Sequence, residues 1–129
     1  VKLTRRDEFV VGGYLLREDQ RQGLGALLLG YYRDEADART GCLRYAGKVG
    51  TGFSDDERAR LKRRCDAQLA DQRPFSAKTP HDRVAIWTQP TLVVEIQYAE
   101  WTHDLHVRHA SYKGLRVDKR AVEVVTSPV

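Results

Sequence analysis

At 129 residues, 41% hydrophobic and 31% charged, the chain has the length of one domain and the composition of a globular protein that buries a core without staples. Its formal charge of +4 leans towards a polyanionic partner but does not name one. No apolar run approaches the length that crosses a bilayer, no secretory signal is visible, and two cysteines, Cys42 and Cys65, do not make a disulfide framework, so a reducing cytoplasm is expected.

In chain order, residues 8–16 are β-branched and aromatic around the pair Gly12-Gly13, as expected of a sharply coiled first strand. After a polar turn, residues 25–32 form a continuous apolar run bounded by glycine, which predicts a central strand buried on both faces. Arg33 to Gly41 reads as a long charged hairpin loop. Alternation from Cys42 to Val49 places Leu43, Tyr45 and Val49 on one face and Arg44 and Lys48 on the other, giving the third strand a cationic outer face. Ser54-Asp55-Asp56-Glu57 has the spacing of a capping box and opens a helix over 55–70, with Leu61, Cys65 and Leu69 on its buried stripe. Pro74, Pro80 and Pro90 punctuate a long irregular connection that Phe75, Ile86 and Trp87 pin to the body. Residues 91–101 are the clearest strand, with Leu92, Val94, Ile96 and Tyr98 sharing a face. Thr102-His103-Asp104 turns the chain into a last strand over 107–112, interrupted at Gly114, and the end from Thr126 is expected to fray.

Three strands, a helix, a loop and two strands predict an all-β fold with one helix: a five-stranded Greek-key barrel of the oligonucleotide/oligosaccharide-binding (OB) type, with the helix between strands three and four. The whole of 1–129 is taken as this single domain, with 1–7 the end of a preceding domain or hinge and 120–129 a tail. The absence of methionine and the start at Val1 are expected of a piece of a larger protein.

The stretch Arg108 to Lys119 sets five cationic or protonatable side chains against one carboxylate around a glycine, which is an anion-handling surface on composition. Arg44, Lys48, Arg108 and Lys113, interleaved with Tyr45 and Tyr112, are what a groove tracking DNA phosphates uses, and also what a plain basic surface shows. His103, His106 and His109 recur every three residues, but alternate faces of a strand keep them from one ion, so no metal site is expected. Glu95 and Glu100 read as strand-edge charges paired with basic neighbours rather than an acid/base couple. Cys65 reads as a small core residue rather than a reactive thiol.

Several blocks together carry a resemblance: Glu8-Phe9-Val10-Val11-Gly12-Gly13-Tyr14, residues 25–32, residues 43–53, Glu100-Trp101-Thr102, and Arg108-His109 running into residues 113–119. In this order they resemble the C-terminal barrel of bacterial ATP-dependent DNA ligases of the non-homologous end-joining type. Arg116-Val117-Asp118-Lys119 is similar to the sixth nucleotidyltransferase motif, and Lys2 to the second lysine of the fifth. The resemblance implies ATP as nucleotide and Mg2+ or Mn2+ as metal, both held mainly by a catalytic domain not among these residues. It implies that Arg116 and Lys119 contact the β and γ phosphates, that Asp118 orients them or the metal, and that Lys2 belongs to the nucleotide pocket. The partners it implies are duplex DNA with nicks or breaks, a nucleotidyltransferase domain of the same polypeptide and Ku-like end-joining proteins, in the bacterial nucleoid and without a membrane. No Lys-x-Asp-Gly nucleophile motif occurs, so these residues alone are expected to form no lysyl-AMP adduct. The competing expectation is an OB module that holds nucleic acid with no part in catalysis.

Overall fold

The computed structural model describes residues 4–17, 23–126 and 128. Strand β1 runs Arg5–Leu16 and β2 runs Leu24–Tyr31; helix α1, Glu35–Thr40, follows, then β3, Arg44–Val49, and helix α2, Asp55–Asp66. The second half holds β4 (Ile86–Trp87), β5 (Val93–Tyr98), β6 (Glu100–Trp101), β7 (Val107–Arg108), β8 (Ser111–Leu115) and a 3-10 turn, Ala121–Glu123. The main sheet is antiparallel in the order β3-β2-β1-β5-β8, with β4 on the far half of β1 and β6-β7 as a separate hairpin. Its two edges meet where the Tyr112 amide donates to the Thr51 carbonyl at 2.9 Å. Five long strands with α2 between the third and fourth are the OB architecture.

The sheet is buried on both faces, because the apolar runs in β1 and β2 supply side chains to each. Phe9, Val11, Leu27, Leu29, Val94 and Ile96 fill the interior with Leu61 and Cys65 of α2. Val10, Leu28, Val93, Phe75, Ala121 and Val124 form a second cluster on the outer face, under the 71–90 connection and the tail. The glycine pair in β1 lies at a register shift between Val11 and Gly13. A Cβ on Gly12 would lie 2.5 Å from the Phe75 ring, and one on Gly13 would lie 2.8 Å from the Ile86 carbonyl oxygen, so side chains there would lift the connection off the strand.

Several expectations are corrected. The 33–41 loop contains α1, started by Asp34, whose side chain accepts from the Asp37 amide, and stopped by Gly41 at φ 75. In β3 a bulge puts Leu43 and Tyr45 in the outer cluster and Ala46 and Val49 in the inner one, so strict alternation fails there. Helix α2 stops at Asp66, leaving Leu69 55% exposed, because the backbone of 68–70 instead pairs with 87–89. Gly114 lies inside β8, and the register shift there falls opposite Glu95 and Ile96. Residues 5–7 are paired with β5 as part of β1. The tail is anchored as far as Thr126, whose amide donates to the Tyr32 carbonyl at 2.9 Å.

Candidate functional site

Strand β8 ends at Leu115, and the Arg116 amide extends the pairing by one bond to the Val93 carbonyl at 2.8 Å before the chain turns through Val117-Asp118-Lys119. That turn projects over β1 and β5, where Glu8 and Glu95 are directly paired across the strands. Two carboxylates in that relation repel unless a cation bridges them. Arg116 is the bridge: its Nη1 lies 3.4 Å from a Glu8 oxygen and 3.4 Å from a Glu95 oxygen. Its Nε and Nη2 each donate to Asp118 at 3.2 Å. Lys119 Nζ donates to Glu8 Oε1 at 2.8 Å, and Arg6 Nε lies 3.3 Å from Glu95 Oε2. The hydrogen bonds from Arg116 hold the Asp118 carboxyl below the usual carboxylate range, and the same pairing pushes the guanidinium up.

Three cations thus face three carboxylates. The 108–119 stretch taken alone suggests an excess of positive charge, and the fold cancels it by bringing Glu8 and Glu95 underneath. Arg116 and Lys119 are brought together and stay about a third to two-fifths exposed, at 31% and 40% of their side chains. Glu8 and Glu95 were not among the expected site residues; the signal that finds them is strand register, which faces position 8 with position 95. Lys2 lies outside the described residues.

The four expected DNA contacts sit in different surroundings. Arg44 is held by Asp37 of α1, Nε to Oδ2 at 2.8 Å, with Asp37 itself buried. Arg108 pairs at 3.2 Å with Glu100 across the β6-β7 hairpin. Lys48 and Lys113 are exposed and, among the described residues, have no ion-pair partner. His106 packs edge-on against Tyr45 at 5.0 Å between ring centroids, while His109 has φ 56, and among the described residues no cluster of three metal-ligating side chains forms. Cys65 is fully buried, which pushes its thiol up to about 12 and leaves it a core residue.

The family model for the C-terminal region of ATP-dependent DNA ligases matches residues 20–119. The chain belongs to that family. The chain is 40% identical over 121 residues to the multifunctional non-homologous end joining protein LigD of Mycobacterium bovis, covering 92% of this chain and 15% of that protein. It is 38% identical over 127 residues to LigD of Pseudomonas aeruginosa, covering 96% of this chain and 15% of that one. Among solved structures it superposes on the ligase domain of Mycobacterium tuberculosis LigD with a TM-score of 0.85 at 36% identity, covering 96% of this chain and 39% of the other. It also matches a mycobacterial DNA ligase D in complex with ATP and MES, with a TM-score of 0.78 at 35% identity, covering 95% of this chain and 38% of that one. The chain therefore spans about 15% of the length of these relatives.

Proposed function

We propose that this domain serves an ATP-dependent DNA ligase by closing over the nucleotide during enzyme adenylylation and then contacting the DNA break during sealing. The observation that carries the reading is the convergence of Arg116 and Lys119, partly exposed just beyond the end of β8, on the same carboxylate of Glu8, in the stretch that resembles the family's sixth motif. There they meet the pyrophosphate end of ATP, whose negative charge grows as the α–β bond breaks. Arg116 supplies a planar fork and Lys119 a compact point charge. Asp118, which accepts from Arg116 Nε and Nη2, sets the orientation of that fork.

ATP, the Mg2+ or Mn2+ that accompanies it and the nucleophilic lysine belong on this reading to a nucleotidyltransferase domain of the same polypeptide, next to Lys2. The DNA partner is duplex with nicks or breaks, gripped through phosphates by Lys48, Lys113 and Arg108, with Arg44 bracing β3 against α1. Ku-like end-joining proteins and a location with the bacterial chromosome in the cytoplasm complete the reading.

The test uses a polypeptide carrying this domain together with its nucleotidyltransferase domain. Arg116→Ala and Lys119→Ala each lower self-adenylylation by about 10- to 1000-fold, the range set by removing one preorganised electrostatic contact to a developing charge. Sealing of a nick that already carries AMP falls far less. Equal loss in both assays sinks the assignment.

A further inference from the structure

We propose that Glu8, braced by Glu95, is a positioning residue for the nucleotide step: it holds Arg116 and Lys119 as a counter-ion latch that the triphosphate must displace. This rests on the reading of Arg116 and Lys119 given above and adds what happens to them before ATP arrives. A guanidinium grips a phosphate best through two parallel N–H bonds from neighbouring nitrogens. In Arg116 all three nitrogens already face carboxylates: Nε and Nη2 face Asp118, and Nη1 faces both Glu8 and Glu95. Asp118 already holds the Nε–Nη2 edge and Nη1 lies against Glu8 and Glu95, so a phosphate that takes two N–H bonds competes with those carboxylates for the guanidinium. Lys119 is held on the same Glu8, so one residue restrains both cations.

The latch is built to open. Glu8 Oε2 is buried and, among the described residues, receives no hydrogen bond; the ion pair with Arg116 at 3.4 Å faces it. The backbone of Glu8 stays in place, paired with Glu95 in the sheet and with its carbonyl accepting from Thr126 Oγ1 at 3.1 Å. When the cations leave for a triphosphate, which offers more charge than one carboxylate, Glu8 and Glu95 face each other with their bridge gone. Their repulsion then favours return of Arg116 and Lys119 once pyrophosphate departs. The opposed glutamates, unfavourable by themselves, make sense as a spring that resets the cations between turnovers.

The experiment measures adenylylation against ATP concentration in the polypeptide that joins this domain to its nucleotidyltransferase domain, for the wild type and for Glu8→Gln, Glu8→Asp, Glu95→Gln and Arg116→Ala. Sealing of a pre-adenylylated nick and thermal melting are followed in parallel. Glu8→Gln removes the competing charge at constant size and lowers the half-saturating ATP concentration by about two- to five-fold, the span that partly exposed ion pairs are worth. Glu8→Asp returns it towards the wild-type value. The gap between wild type and Glu8→Gln narrows as salt rises from about 0.05 M to about 0.5 M, because screening weakens the latch. A merely structural role lowers the melting point and leaves the half-saturating ATP unchanged. Should Glu8→Gln not fold, Glu95→Gln keeps Lys119 on Glu8 and is expected to shift ATP saturation in the same direction. An unchanged or raised half-saturating ATP in the folded variant overturns the latch when Arg116→Ala still impairs adenylylation. Intact adenylylation in Arg116→Ala overturns the underlying assignment instead.

Discussion

The Arg44–Asp37 pair shows how the placement of one side chain decides its role. Alternation in β3 gives Arg44 an outward position, and what lies outward is the buried carboxylate of Asp37 on α1, which also accepts from the Arg33 amide at 3.0 Å. The hydrogen bond from Arg44 leads in holding the Asp37 carboxyl below its ordinary 3.8, with the Arg33 amide and the nearby guanidinium charges adding to it against the opposing effect of burial. The unfolded chain therefore takes up the proton first as pH falls. The stability this pair contributes is complete above the ordinary carboxylate range and is lost as pH drops through the depressed folded value. Arg44→Ala leaves the carboxylate without its main partner and lowers stability at pH 7 by about 1–3 kcal/mol. Asp37→Asn destabilises at pH 7 as well, and denaturant unfolding across pH 2–7, a range chosen to span the ordinary carboxylate value of about 3.9, shows its curve and the wild-type curve converging at the acid end. Parallel curves contradict the pairing. The sequence displays the charge of Arg44 and hides its neighbour, because Asp37 lies in a segment that reads as loop.

Among elements, those legible in advance are the ones whose pattern is local. β1 and β2 announce themselves by apolar runs dense enough to fill two faces, and α2 by Ser54, whose oxygen accepts from the Glu57 amide at 3.1 Å. Even there only half the capping box forms: the Glu57 carboxylate goes to Tyr112 Oη at 2.8 Å and Arg60 at 3.2 Å, tying the start of the helix to the last strand of the sheet. The other end is tied by Tyr14 Oη donating to Asp66 at 2.6 Å, with Lys62 on the same carboxylate at 2.7 Å. Where α2 stops was not legible, because the residues after it are diverted by strand pairing with 87–89, a partner distant in the sequence. α1 was legible in its caps, Asp34 and Gly41, and was missed because so short a helix has no periodic stripe to show. The two tethers hold Leu61 against the interior of the sheet, where it is fully buried. Leu61→Ala is expected to cost about 2–5 kcal/mol, the usual range for such a cavity, while Ser54→Ala costs about 1 kcal/mol through loss of the cap. Gly12→Ala, whose added methyl meets the Phe75 ring, costs about 1–3 kcal/mol from overpacking. Chemical denaturation ranks the three; Ser54→Ala as the largest loss would contradict the burial of α2 against the sheet interior.

For the whole molecule, the net charge of +4 says less than how the charges are spent. Most basic side chains that the sequence offers as phosphate contacts are answered by a carboxylate from another element: Arg44 by Asp37, Arg108 by Glu100, Arg116 and Lys119 by Glu8. Lys48 and Lys113 are not answered among the described residues, so on the proposed DNA-binding reading they are the first cations expected to meet phosphate. Each phosphate contact a duplex gains releases condensed counterions, and the slope of log affinity against log salt falls by about 0.9 per contact. Binding of this domain to a nicked duplex, measured by fluorescence anisotropy over a salt series, is therefore expected to be weak and steeply salt-dependent. Lys48→Ala and Lys113→Ala each flatten the slope by about 0.9 if their phosphate contact is fully made. Arg44→Ala leaves the slope unchanged even though it destabilises the fold, because its charge is already committed to Asp37. Arg108→Ala falls between them, since its exposed pair with Glu100 opens at little cost. A slope that Arg44→Ala flattens as much as Lys48→Ala does would mean that the ion pairs seen in the fold are exchanged freely for DNA, and that position in the sequence, not pairing in the structure, decides which cations bind.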